Sequence, residues 1–443
     1  MNESLASRYS SLPAGVMQRQ PLLWLNPGYD AGSDGTAVAL DPAVAEARFA
    51  RCAGLLEQVF PELRANAGQL DSPLTPIPRF RDLIFHGESA GAWLLKRDDA
   101  LPVAGSVKAR GGFHEVLSLA ERIGTEEGLL RDDTDRRVLA SPQGRAILGR
   151  HTLAVGSTGN LGLGIGLIGA GLSLRAVVHM SADAKEWKKQ RLRKHGIDVV
   201  EHSGDYAAAV AAGRAIAQAD PMMHFVDDEH SEALFLGYAA AARELQTQLR
   251  AAGRLVDADH PLFVYLPCGV GGAPGGILFG LKRLFGRHVH GFFVEPTASP
   301  CMLVQLACGV RHPVSVYDVG LDNRTEADGL AVGLASPLVA PLIEPLLSGV
   351  FTADEPIFYG DAWRLENAEN IYVEPSAATG LRGPAWVLDS PQGRAYLQRH
   401  GLESVMDQAS HVIWSTGGSL VPEAIRQEFR ERGCRVASHS GND

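Results

Sequence analysis

"TLAVGSTGNLGLGIGLIGAGL" (152–172) reads in three parts. The first four residues are apolar and strand-like. "GSTGNLG" (156–162) is a turn of glycine, hydroxyl and amide residues. "LGLGIGLIGAGL" (161–172) has no polar face and predicts a buried helix. Strand, glycine turn and helix in that order are the unit of an α/β fold.

The pattern continues outward. "RAVVHM" (175–180) predicts a strand, "SADAKEWKKQRLRKHG" (181–196) a helix stopped by glycine, and "IDVVEH" (197–202) another strand. A second alternation follows: "PLFVYLPCG" (261–269) as strand and turn, "ILFGLKRLFG" (277–286) as helix, and "VHGFFVEP" (289–296) as strand. "HVIWSTGG" (411–418) is again strand and turn, before the helical "VPEAIRQEFRERG" (421–433). The helical "SEALFLGYAAAARELQTQLRAAG" (231–253) separates the two alternations, and 41–68 reads as one or two amphipathic helices. The expected organisation is an N-terminal helical extension, 1–70, a large domain from 71–121 and 237–443, and a small domain, 122–236, inserted in it.

At 443 residues the chain exceeds one ordinary core. A net charge of −10 argues against nucleic acid as the partner, because phosphate backbones need a basic face. Lys185, Lys188, Lys189, Arg191, Arg193 and Lys194 are an anion patch or, the preferred reading, the solvated face of a helix. The five cysteines, at 52, 268, 301, 308 and 434, form no CxxC and no even framework, so a reducing cytoplasm is expected. No secretory leader is read at the N-terminus. The most apolar stretch, 161–174, is shorter than the ~20 residues of a membrane span. No membrane association is expected.

Three glycine turns follow strands: 156–162, 267–276 and 415–419. Ligands of open α/β sheets sit at such positions. In "PCGVGGAPGG" (267–276) successive glycines let backbone N–H groups converge, and a helix starting near Gly276 adds its positive end. The loop lacks the Walker pattern and the dinucleotide fingerprint. It reads as a phosphate site without a nucleotide, or as a tight strand-to-helix turn. "GSTGNLG" offers Ser157, Thr158, Gly159 and Asn160 before a buried helix and suits a carboxylate; the plain alternative is an N-cap turn. "SVKARGG" (106–112) sets Lys108 among small residues. A phosphate cradle, a carboxylate cradle and one such lysine together point to pyridoxal phosphate, whose aldehyde needs an amine and whose phosphate needs an anion site.

"SVKARGG", "GSTGNLG", "YLPCGVGGAPGG", "FFVEPTASPCM" (292–302), "DNRTEADGLAVG" (322–333) and "STGGSLVPE" (415–423) together resemble the D-serine dehydratase (D-serine ammonia-lyase) family. That family belongs to the fold-type II, tryptophan-synthase-β-like pyridoxal phosphate enzymes. The resemblance runs from about residue 70 to the C-terminus. It implies two open parallel-sheet α/β domains with the cofactor in the crevice between them. It implies that Lys108 forms the Schiff base and that Asn160 bonds the ring hydroxyl. Gly269, Val270, Gly271, Gly272 and Ala273 would hold the phosphate. Ser157, Thr158 and Gly159 would hold the substrate carboxylate. Ala273 stands where the family has glycine, which puts the loop geometry in question if φ there is positive.

Thr416 would face the pyridine nitrogen. A hydroxyl does not keep that nitrogen protonated as a carboxylate does, so the ring is a weaker electron sink and prompt β-elimination is favoured. Asp227 and Asp228, in "HFVDDEHS", either orient the substrate's ammonium or hydroxyl or cap the next helix, with capping the slightly preferred reading. Glu295 is a candidate for a monovalent cation (K+ or Na+), or a helix N-terminal acid. The implied reaction turns D-serine into pyruvate and ammonia, with D-threonine as a slower substrate and a monomer as the working form. An L-serine/L-threonine dehydratase, a β-replacement synthase and a non-catalytic cofactor-binding protein are the alternatives. No appended regulatory domain is expected.

Overall fold

The computed structural model describes residues 9–87, 91–157, 159–182, 184–204 and 206–439. In chain order the strands are β1 (Leu22–Leu25), β2 (Leu74–Pro76), β3 (Ala92–Arg97), β4 (Thr152–Gly156), β5 (Arg175–Ser181), β6 (Asp198–His202), β7 (Met223–Val226), β8 (Leu262–Pro267), β9 (Val289–Pro296), β10 (Leu347–Ala353) and β11 (Ser410–Ser415). The helices used below are α1 (Pro42–Val59), α2 (Lys108–Glu126), α3 (Asn160–Gly171), α4 (Glu186–Lys194), α5 (Glu232–Ala239), α6 (Gly272–Phe285) and α7 (Cys301–Cys308).

The chain divides into two compact units. The first comprises 1–39, 73–100 and 242–443 and holds a seven-stranded sheet in the order β1-β10-β9-β8-β11-β3-β2. Its five inner strands are parallel. The edge strands β1 and β2 run antiparallel and blunt the sheet's ends. Every residue of β8, β9 and β11 is buried, as continuous apolar runs in a doubly covered parallel sheet require. Tyr265, Phe292, Phe351, Trp93 and Phe263 fill one core there. Tyr265 Oη meets His411 Nδ1 at 2.8 Å, which settles two polar groups inside the layer.

The second unit comprises 40–72 and 101–241, with a parallel four-stranded sheet ordered β6-β5-β4-β7. The glycine helix α3 packs closely because its glycines leave no side chain to hold partners away. A Cβ at Gly166 would stand 2.1 Å from Ile197, one at Gly169 2.8 Å from Leu153, and one at Gly164 3.4 Å from the Ala109 backbone.

The contact division draws its boundary elsewhere than the sequence reading did. Residues 101–121 group with the smaller sheet because α2 packs on α3 and α5. The first 70 residues are not one extension, since β1 belongs to the larger sheet and α1 to the second unit.

Candidate active site

In the second unit the site is built on "SVKARGG". Lys108 is the first residue of α2. Each neighbour serves the helix's seating. Gly111 lies against the Tyr238 ring, 2.5 Å from where its Cβ would stand, and a Cβ on Gly237 of α5 would stand 2.9 Å from the Gly111 Cα. Gly112 meets Ile165 of α3. Buried Arg110 donates to Ser72 Oγ at 3.2 Å and to the Leu70 carbonyl at 3.4 Å. Ser106 is buried and its hydroxyl has no partner among the described residues. Lys108 is thus a lysine on a tightly wedged helix end.

Lys108 Nζ donates to Asp228 Oδ2 at 2.8 Å and lies 5.9 Å from the centre of the Tyr238 ring. The Asp228 side chain is only 8% exposed, and its other oxygen, Oδ1, has no partner among the described residues. Such a buried acceptor is unusual in a folded protein and marks a place where a donor is wanted. Asp227 behaves differently. Its carboxylate accepts from Arg214 Nε at 2.9 Å and from the Glu229 backbone at 3.1 Å. Neither aspartate caps α5. Ser231 does, accepting from Leu234 N at 3.0 Å. The capping reading is therefore corrected, and the pair splits into one aspartate on the lysine and one on an arginine.

The loop after β4 is braced from within. Ser157 Oγ accepts from Gly159 N at 2.9 Å and Gly162 N at 3.0 Å. Gly159 has φ +142°, open only to glycine, and a Cβ there would strike the Lys188 stem at 2.9 Å. Thr158 lies outside the described residues. Asn160 opens α3, and its Oδ1 accepts from Arg191 Nη2 at 3.0 Å. The solvated reading of α4 is corrected too. Lys188 and Lys189 are each 2% exposed, with Lys189 Nζ on Glu201 and on the Ala182 carbonyl at 2.7 Å. Lysine stems are apolar enough to be buried when the amine finds a partner.

In the first unit β8 ends at Pro267, and Cys268 to Gly271 lead into α6. The helix starts at Gly272, four residues before the expected position, so Gly272 and Ala273 lie in its first turn. Ala273 is helical and absent from the positive-φ residues, so an alanine there is unstrained. The special position is Gly271, with φ +111° and space for a Cβ taken by Met302 Cε at 2.5 Å. The loop is fully buried, and among the described residues no acceptor takes the N–H of Gly269, Val270, Gly271, Gly272 or Ala273. Converging N–H groups at a helix start form an anion site. The Gly269 carbonyl faces the other way and accepts from the Cys268 and Cys301 thiols at 3.3 and 3.2 Å.

Glu295 sits near the end of β9. Its two oxygens accept from Met302 N at 2.8 Å and Leu303 N at 2.9 Å, so it braces the start of α7. Burial pushes its carboxyl up to about 8. Thr416 follows β11 and is half-buried. Because β8, β9 and β11 run parallel with Pro267 beside Val294 and Ile413 beside Tyr265, the glycine loop, Glu295 and Thr416 leave the sheet at one edge. The Lys108 amine of the second unit, and in the first unit the N–H donors around Gly271, which is closed to a Cβ, and the hydroxyl of Thr416, are groups of the kinds that pyridoxal phosphate needs. Sequence reasoning missed the Lys108–Asp228 pair and Arg191. The first had a signal, two acids directly after a strand end.

Residues 66–391 match the family described as pyridoxal-phosphate dependent enzyme. A "Probable D-serine dehydratase" of Burkholderia lata is 57% identical over 97% of this chain and 96% of its own. One of Acidovorax sp. is 53% identical over 95% and 96%. Among solved structures, diaminopropionate ammonia lyase from Escherichia coli in complex with D-serine has a TM-score of 0.70 at 19% identity, over 94% of this chain and 97% of that one. Threonine deaminase isoform 2 from Solanum lycopersicum has a TM-score of 0.64 at 17% identity, over 96% and 95%. These two structures show the shared fold.

Proposed function

From the premise that this chain belongs to the pyridoxal-phosphate-dependent enzymes, and to the D-serine dehydratase relatives within them, we propose that it converts D-serine to pyruvate and ammonia by β-elimination. The observation that carries the assignment of residues is the contact of Lys108 Nζ with the buried, half-satisfied Asp228.

The N–H groups of Gly269 to Ala273 would hold the cofactor phosphate, and the Lys108 amine would receive its aldehyde. When bound, the cofactor withdraws electrons from the substrate's Cα. Thr416 would meet the pyridine nitrogen with a hydroxyl. Asn160 would donate to the ring oxygen. The 157–160 loop would take the substrate carboxylate, with Ser157 Oγ bracing it by accepting from the Gly159 and Gly162 N–H groups. Lys108 would hold, at Nζ, the proton taken from the substrate's Cα. Asp228 keeps Nζ in place and has Oδ1 to accept from the substrate's ammonium or hydroxyl. The β-hydroxyl would leave as water on taking the proton held at Lys108 Nζ, and the released 2-aminoacrylate would add water to give pyruvate and ammonia.

D-threonine is the second substrate in this reading, a monovalent cation sits beside Glu295, and the protein acts as a cytoplasmic monomer. No described helix is long and apolar enough to cross a membrane.

Pyruvate release from D-serine and L-serine, offered separately to wild type and Lys108→Ala, tests the proposal. D-selective release that the variant loses is expected. Release from L-serine alone overturns the substrate. Release retained by the variant overturns the role of Lys108.

A further inference from the structure

We propose that Arg191 is a positioning residue, fixing which end of the Asn160 amide is offered to the cofactor's ring oxygen. The inference rests on the assignment of Asn160 given above. An amide has two ends of nearly equal shape and opposite character, since the oxygen accepts and the nitrogen donates. A partner decides which way round it sits. A guanidinium has donors only, so Arg191 Nη2 at 3.0 Å compels Oδ1 to face it. The Nδ2–H2 end then points the other way, as a donor.

A donor is what the ring oxygen needs. In the coloured state of bound pyridoxal phosphate that oxygen is an anion. A reversed amide would set a lone pair against it. Arg191 also charges the bond it makes, which polarises the amide and strengthens the N–H at its far end.

The guanidinium is itself held. It lies 5.3 Å from the centre of the Trp187 ring, on the same helix. The neighbouring Lys188 has its stem across Gly159, at the foot of the same loop. Arg191, Trp187, Lys188 and Asn160 all belong to the second unit, so the device is complete within it. The plainer alternative is that Arg191 only packs α4 against the loop.

The two are separated by titrating cofactor-free protein with pyridoxal phosphate and recording its visible absorption. The proteins are wild type, Arg191→Met, Arg191→Lys, Asn160→Ala and the Asn160→Ala/Arg191→Met double variant. The proposal expects Arg191→Met to weaken cofactor binding roughly tenfold, the loss of one hydrogen bond to a charged group. It also expects part of the visible band to move to the near ultraviolet. Arg191→Lys, which keeps the charge and a donor, should restore most of both signals; it serves alone if the methionine variant does not fold. On the Asn160→Ala background Arg191→Met should change neither signal further, as coupled residues in one network behave. Equal loss on both backgrounds, or a lysine variant as poor as the methionine one, overturns the proposal. An Asn160→Ala protein with wild-type affinity and colour overturns the assignment of Asn160 instead, a different result read from a different variant.

Discussion

Replacing Gly271 by alanine adds one methyl group at the entrance of α6. Two costs follow, and they differ in kind. The methyl would stand 2.5 Å from Met302 Cε, the free end of a flexible side chain, with Val339 next at 3.5 Å. Met302 can swing aside at little expense. The backbone cannot adapt so easily, because φ is +111°. Holding alanine there costs about 1–3 kcal/mol. If the loop keeps its shape, that strain lowers the melting temperature by roughly 2–4 °C per kcal/mol. If it relaxes to negative φ, two or three N–H groups turn away from the phosphate. At about 1.5–3 kcal/mol per charged hydrogen bond, affinity for pyridoxal phosphate then falls by at least roughly a hundredfold. Absorbance titration of cofactor-free protein measures the second effect, and thermal unfolding without cofactor the first. Ala273→Gly is the control. Alanine there is in a helix, so glycine should cost about 0.5–1 kcal/mol of stability and leave affinity nearly unchanged. Wild-type stability and affinity in Gly271→Ala, or a larger affinity loss in Ala273→Gly, would show that the cradle has been placed at the wrong residues.

Further outcomes follow from the buried charges. Asp228→Asn should lower turnover of D-serine roughly a hundredfold, whereas Asp227→Asn, which loses only a partly exposed pair with Arg214, should leave it within about threefold; steady-state kinetics on both decides, and the reverse order would sink the assignment. With no cation bound beside it, burial holds the folded Glu295 carboxyl at about 8, against an ordinary value of 4.5. The folded state therefore binds the extra proton between those values, and stability should fall as pH rises through that window, by at most about 1.4 kcal/mol per pH unit. Glu295→Gln should flatten that slope in urea unfolding followed across pH. Lys282 is fully buried, with Nζ 3.3 Å from Tyr29 Oη and its amine pushed down to about 8 by burial. Here the unfolded chain binds the extra proton between pH 8 and 10.5, so stability should rise across that range. Lys282→Met should remove the rise and add roughly 1–3 kcal/mol at pH 7.

Glycine turns directly after apolar runs were legible because glycine has few other reasons to cluster there. The lysine at 108 was legible by its neighbours' small size, and the structure gives that size a cause, the wedging of α2 against Tyr238 and Ile165. The acids after a strand end were a legible signal, but their pairing with Lys108 was not, since nothing local joins a partner 120 residues away. The start of α6 was placed late because glycine and proline both lower helix propensity, yet Gly272, Pro274 and Gly275 all lie in its first turns. The burial of Lys188 and Lys189 escaped notice because charge was read without the stem that carries it. The edge strands β1 and β2, four and three residues long, were too short to show a period.

The glycine helix α3 has a consequence for how the second unit assembles. Gly162, Gly164, Gly166, Gly169 and Gly171 each cost about 1 kcal/mol of helix propensity relative to alanine. No such segment forms a helix on its own in water. It becomes helical only against Val178, Leu153, Ile197 and the backbone of α2. Lys108 is carried by one of those surfaces and Asn160 by the helix itself. Amide hydrogens along α3 should therefore exchange with solvent only when the whole packed layer opens, and the loop before α3 should take its shape only once β4, β5 and α2 have met.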